Sequence, residues 1–336
     1  VARASAVALP DVSSPGDGLT RPLRYSYNLP LVPRAPRELP VTPASNTTVP
    51  HSIGLGLRRS LVEEWRDLEQ QGYGNQPRPE FIEVTPENWM GLGGKFRRNL
   101  AYFTERYPVY AHGLSLSIGG PTELDMAFVD RLKTFLDDCG VIEFSEHLSY
   151  CTDHGHLYDL MPIPFTEAAV QRVCERILRV QDRLKRQIAL ENVSFYAMPA
   201  PEMTEAEFIC AVLERADCKL LLDINNVWVN SVNHGYDPKA FIEAMPGARV
   251  AYQHIAGHLQ ISDRQIIDTH GTDVSDPVWD LLAHAQATLG PRPTVLERDG
   301  NFPPLSSLLG ELAEMGHILN GTARGTPGDA PAEITV

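Results

Sequence analysis

Eight short apolar runs, most of them ending on or followed by polar residues, divide this chain. They are SIGLGL (52–57), EFIEV (80–84), PVYAHG (108–113), GVIEFSEH (140–147), IALEN (188–192), KLLLDIN (219–225), ARVAYQHIAG (248–257) and PTVLERDG (293–300). Their length and β-branched content fit buried strands better than helices. Amphipathic stretches lie between them. In PTELDMAFVDRLKTFLDDCG, Leu124, Phe128, Leu132 and Phe135 form one stripe, and Gly140 can end the helix. In TEAAVQRVCERILRVQDRLKRQ, Val170, Val173, Ile177, Val180 and Leu184 form another, with Thr166 as the N-cap. DPVWDLLAHAQATLG gives a third. Strand–helix alternation repeated eight times predicts an α/β protein, a (β/α)8 TIM barrel, with a doubly wound sheet as the rival.

The chain has 336 residues, enough for one barrel of about 250 residues with additions. Residues 1–50 hold nine prolines, including PLVPRAPRELPVTP, and predict an irregular proline-rich extension. The barrel is expected over 51–319 and a disordered tail over 320–336. A net charge of −14 argues against coating by nucleic acid, which needs clustered Lys and Arg. No apolar run approaches the roughly 20 residues that span a bilayer. No secretory signal is visible from Val1 onward, which points to a cytoplasmic protein with no membrane partner. The five cysteines are odd in number and lack C-x-x-C spacing, which argues against a disulfide framework or a thiolate zinc site.

Chemistry in such barrels gathers where the strands end. The runs end on His112, on Glu146 and His147, on Glu191 and Asn192, on Asp223 followed by Asn226, on His254 and on Glu297. The segment IIDTHG (266–271) adds Asp268 and His270, which point the same way if the chain stays extended. Alone, an Asp-x-His is most simply a turn. Together, Glu191, Asp223, Asp268 and Glu297 place four carboxylates at one barrel mouth, where like charges are costly unless protonated or paired. No lysine ends any of these runs, and Arg298 adjoins only one. Bound cations are the economical solution, and imidazole with carboxylate suits Zn, Fe, Mn or Ni.

The order His112, His147, Glu191, Asp223, Asn226, His254, Asp268, His270, Glu297 resembles the trinuclear site of endonuclease-IV-type barrels. There, a D-x-x-H motif stands where this chain has DINN. That departure, with SEHLSY, ENVSFY, LLLDINNVWVNSVNHG and DTHG, is similar to another branch: the multinuclear non-heme iron-dependent oxidative enzymes, which include the methanobactin biosynthesis iron enzyme. The resemblance covers about residues 51–316. It implies two or three iron ions, mixed Fe(II) and Fe(III), with dioxygen as co-substrate. It also implies oxidative modification of a residue, often cysteine, in a ribosomally made precursor peptide, and a small partner protein that recognises the leader. By position, His112, His147 and Glu191 would hold one metal. Glu191, Asp223, His254 and Glu297 would surround a second. Asn226, Asp268 and His270 would hold the third, where substrate chemistry is expected.

Arg58 could grip a substrate carboxylate or sit in an ordinary salt bridge. Asn192 could orient substrate or cap a helix, and His154 could belong to a lid or a solvated loop. The alternatives are a divalent-metal hydrolase or nuclease of the endonuclease IV type, a sugar isomerase on the same barrel, and a non-catalytic scaffold. The acidic charge and DINN count against the nuclease. The missing strand-end lysine counts against the isomerase, and the crowded ring of ligands against the scaffold.

Overall fold

In the computed structural model, residues 51–153, 155–198 and 201–322 are described. The proline-rich extension 1–50, His154 and the tail beyond 322 lie outside them.

The strands are β1 (Ile53–Gly56), β2 (Phe81–Val84), β3 (Val109–Gly113), β4 (Glu143–His147), β5 (Ser149–Thr152), β6 (His156–Pro162), β7 (Ala189–Glu191), β8 (Lys219–Asp223), β9 (Val250–Ile255), β10 (His258–Ser262), β11 (Gln265–Asp268) and β12 (Thr294–Leu296). The helices are α1 (Val62–Gln71), α2 (Gly94–Thr104), α3 (Met126–Asp138), α4 (Glu167–Leu184), α5 (Glu205–Arg215), α6 (Ile224–His234), α7 (Pro238–Ala244), α8 (Asp276–Leu289) and α9 (Leu305–Leu319). Eight strands close into a barrel in the order β1-β12-β9-β8-β7-β4-β3-β2. These are the eight runs read from the sequence. Every pairing is parallel, and β1 bonds to both β12 and β2, which excludes the doubly wound sheet.

The helices form where expected, but the buried face of α3 is Val129, Leu132 and Leu136; Phe128 and Phe135 are half-buried at its edge, and Leu124 precedes the helix. In α4, Val170, Val173, Ile177, Val180 and Leu184 are all buried, and the Thr166 hydroxyl accepts from the Ala169 amide at 3.2 Å. Inside the barrel, Phe81, Tyr110, Ala189, Leu221, Tyr252 and Val295 form a separate buried cluster. Gly54 leaves room for it, since a Cβ there would stand 2.4 Å from the Phe81 ring. This filled floor makes the barrel a packed core rather than a pore, so any site must lie at its rim.

Two antiparallel hairpins, β5–β6 and β10–β11, interrupt the alternation after β4 and β9. The second corrects the reading of IIDTHG. Extended chain stops at Asp268, and His270 has a left-handed backbone with φ of 45°. Asp268 and His270 still meet, but through a turn rather than through strand alternation.

Candidate metal centre

Strand register brings the ring together. Asp223 on β8 pairs with His254 on β9, and His147 on β4 pairs with Glu191 on β7. His112 comes from β3, Glu297 directly follows β12, and Asn226 lies in the first turn of α6. Asp223 also caps α6, accepting from the Asn226 amide at 2.6 Å, so one residue ends a strand, starts a helix and faces the site.

His112 Nε2, His147 Nε2 and Glu191 Oε2 form a triangle with edges of 3.1, 2.9 and 3.4 Å. Ligand atoms about 2.0–2.2 Å from a shared divalent ion stand roughly 3.0–3.5 Å from one another, so the triangle has the size a cation requires. Glu191, Asp223 and His254 form a second such group, and Asp223, His270 and Glu297 a third. Glu191 belongs to the first and second, and Asp223 to the second and third. Glu191 Oε2, Asp223 Oδ2, Asn226 Oδ1, His254 Nδ1 and His270 Nε2 are buried without a hydrogen-bond partner. Buried polar atoms are rarely left so, and five converging orphans fit cations.

Each histidine is held by one nitrogen. His147 Nδ1 donates to the Gly113 carbonyl at 3.0 Å. His112 Nδ1 meets Ser145 Oγ at 2.6 Å, His254 Nε2 meets Glu83 Oε2 at 2.8 Å, and His270 Nδ1 meets Asp299 Oδ2 at 3.2 Å. The other nitrogen of each faces the ring of carboxylates. Such partners fix ring orientation and tautomer in metal sites.

The electrostatics are those of a crowded acidic cup. Burial, then Glu191, pushes the Asp223 carboxyl up to about 8. Burial, then the neighbouring His147 ring, lowers His112 to about 3. Burial opposes charge on His147, but Glu191 and Glu146 outweigh it and raise the ring to about 9. His254 is raised in the same way, against burial, by Glu83 and Glu297, and His270 by Asp268 and Glu297. Burial would raise Glu297, but those two rings hold it well below the usual carboxylate range.

Other predicted residues fall differently. The Arg58 guanidinium meets Glu297 Oε1 at 2.8 Å and Asp299 Oδ1 at 2.8 Å, so it supplies a positive counter-charge that no strand-end residue provides. Arg298 points elsewhere, to Asp273 and Glu311. The Asn192 amide spans to the backbone of Asp223 in both directions. Asp268 lies 2.8 Å from His270 Nε2, and its oxygens accept from Asn225 and Ser194. Glu146 accepts from the backbone of His147 and Leu116.

Glu83 and Asp299 escaped the sequence reading. Glu83 sits next to the end of the second run, and Asp299 lies two residues beyond Glu297; the rule that found the others covers both. Glu83 is within reach of a cation beside His254 and Glu297. However, it faces His254 Nε2, whereas Glu297 faces Nδ1 at 2.9 Å, so the two carboxylates bind opposite edges of the ring.

Above the ring opens a pocket of about 500 Å³, lined by Arg58, Thr85, Trp89, Leu114, Leu160 and Phe302 as well as by His112, Glu191 and His270.

Fold and site together define a (β/α)8 barrel with clustered potential metal ligands at its mouth. The family model of the RiPP precursor modification enzyme MbnB/TglH/ChrH matches residues 52–320, and the chain belongs to this family. A UPF0276 protein of Shewanella sediminis (strain HAW-EB3) is 53% identical over 263 residues, covering 78% of this chain and 92% of that relative. Endonuclease IV from Thermus thermophilus has a similar fold at 16% identity and a TM-score of 0.53, over 81% of this chain and 100% of that one. D-Psicose 3-epimerase from Clostridium cellulolyticum H10, solved with D-tagatose, is similar at 11% identity and a TM-score of 0.52, over 81% of this chain and 98% of that one. At these identities the structural likeness is one of fold. Among the described residues, no helix is long and apolar enough to cross a membrane.

Proposed function

We propose that this protein is a multinuclear iron enzyme that uses dioxygen to modify a residue, most simply a cysteine, in a ribosomally made precursor peptide. The observation that carries the reading is the sharing of Glu191 and Asp223 among three ligand groups, in a chain of the precursor-modifying family. His112, His147 and Glu191 would hold one ion, and Glu191, Asp223, His254 and Glu297 a second. Asn226, Asp268 and His270 would hold a third, with Asp223 and Glu297 also close to His270. Iron, when bound there, supplies electrons to dioxygen and a positive charge that keeps a substrate thiol deprotonated.

The chain's own residues do the rest. Arg58 fixes Glu297 and Asp299, and Asp299 in turn holds the His270 ring. Asn225 and Ser194 aim Asp268 at that ring. Trp89, Leu114, Leu160 and Phe302 give the pocket apolar walls that can receive a peptide side chain and limit water around the ligands. A leader-recognising partner protein would bring the peptide to this mouth.

The test is direct. Protein reduced and loaded with iron under nitrogen is mixed with the short peptide encoded beside its gene and with any co-encoded partner, and peptide mass is followed with and without oxygen. An oxygen-dependent mass change that is lost in His270→Ala supports the reading. Cleavage of abasic DNA, or epimerisation of a ketose, with the peptide left unchanged would transfer the site to the hydrolase or isomerase alternative.

A further inference from the structure

Beneath the ligand ring runs an unbroken chain of buried hydrogen bonds. His112 Nδ1 meets Ser145 Oγ at 2.6 Å, and Ser145 Oγ meets the Tyr252 hydroxyl at 2.6 Å. That hydroxyl donates to Glu83 Oε2 at 2.8 Å, and the same oxygen meets His254 Nε2 at 2.8 Å. All five side chains are nearly or fully buried. The chain joins a histidine of the first ligand group to a histidine of the second.

Its polarity follows from the chemistry of its members. A carboxylate only accepts, so Glu83 must receive protons from both Tyr252 and His254. The Tyr252 oxygen, having given its proton to Glu83, accepts from Ser145. The Ser145 oxygen, having given its own, accepts from His112 Nδ1. In the neutral ring that a metal ligand must be, His254 is left with a bare Nδ1, which lies 2.9 Å from Glu297 and 3.9 Å from Asp223. His112 is left with a bare Nε2, 2.9 Å from Glu191.

We infer that Glu83 is a positioning residue that sets the tautomers of His112 and His254 together, through Tyr252 and Ser145, so that both rings present lone pairs to the ligand ring. The inference rests on the reading of these residues as metal ligands. Removing the Glu83 carboxylate leaves the Tyr252 hydroxyl with Ser145 as its acceptor. Ser145 then turns its own proton to His112 Nδ1, and the His112 proton moves to Nε2, where it blocks a cation. Among the described residues, the alternative acceptor for Ser145 is the Ala111 carbonyl, at 3.5 Å.

The experiment uses histidine labelled with ¹⁵N and zinc as a diamagnetic probe, in the full chain. Wild-type protein should carry the His112 proton on Nδ1. Glu83→Leu should shift it to Nε2 and weaken zinc binding at His112, His147 and Glu191 by about 10–100-fold, although none of these ligands is altered. Adding Tyr252→Phe to Glu83→Leu removes the reversed donor and should return His112 to a mixture of tautomers, regaining part of the Nδ1 proton and part of the affinity. A double variant no better than Glu83→Leu would overturn the inference. If Glu83→Leu does not fold, Tyr252→Phe alone decides: His254 should keep its Nε2 proton while His112 shows a mixture of tautomers. A wild-type His112 ring protonated on Nε2 overturns the inference whatever the variants do. Wild-type protein with the expected tautomers but no zinc affinity would instead refute the metal reading.

Discussion

At the scale of single residues, the centre places two demands on Asp223, and a substitution can separate them. Asparagine caps a helix as well as aspartate does, but it lacks the charge. Asp223→Asn should therefore fold with near-normal stability and still lose most of its bound metal, because Asp223 belongs to two of the ligand groups. Asp223→Ala should lose the metal and about 1 kcal/mol of stability from the cap as well. Elemental analysis and thermal melts distinguish the two, and full metal content in Asp223→Asn would move the site elsewhere. Asn226→Ala should be milder, lowering occupancy beside His270 first.

A second buried carboxyl titrates away from the ligand ring. Burial pushes Glu205 up to about 8, against hydrogen bonds from Tyr236 and Asn230. Its folded pKa lies above the unfolded one, so between pH 4.5 and 8 the unfolded chain gives up a proton that the folded chain keeps. Stability contributed by this group therefore falls as pH rises through that window. Glu205→Gln should raise the Tm by a few degrees at pH 8, have little effect at pH 4, and flatten the slope between. Much of the candidate ligand set was legible at this scale, because a polar residue ending an apolar run needs a reason. Ser145 and Tyr252 were not, since a buried serine and tyrosine inside a strand look like packing until the register shows what they touch.

At the scale of elements, the strands were legible because each had to be apolar enough to be buried on both faces. The hairpins were not. β10 is exposed along most of its length, so it carries no burial pattern, and its pairing with β11 depends on a tight passage after β9. Gly257 makes that passage: a Cβ there would stand 2.1 Å from the Thr272 carbonyl oxygen and 2.5 Å from that of Asp273, both backbone atoms. Gly257→Ala must displace the returning strand and the turn that carries His270. The barrel strands do not depend on this contact. The expected result is a folded protein whose metal content falls through loss of the group around His270, with faster hydrogen exchange confined to about residues 257–273. Unchanged metal content with the same exchange change would show that Asp268 and His270 are not ligands.

At the scale of the whole molecule, two sources of cohesion are stacked along one axis. The lower part of the barrel is held by hydrophobic burial around Phe81, Tyr110, Leu221 and Tyr252. The upper part gathers Glu191, Asp223, Glu297, Asp268 and Asp299, opposed by the histidine rings and Arg58. Arg58 gives Glu297 and Asp299 a permanent counter-charge, while among the described residues Glu191 and Asp223 meet rings and amides instead. Removing metal should therefore leave a folded barrel with a strained mouth rather than an unfolded chain. Metal that binds only the folded state at 100 to 1,000 times its Kd adds about 3–4 kcal/mol, worth roughly 10 °C in a barrel of this size. Chelator-treated protein should keep its far-ultraviolet circular dichroism and melt lower by about that amount. Iron or zinc should restore the Tm in wild type and fail to do so in a His147→Ala, His254→Ala double variant. Loss of the circular dichroism signal on chelation would show that the metals hold the barrel together. The place of their candidate ligands, at the rim of a floor already filled by side chains, argues that they do not.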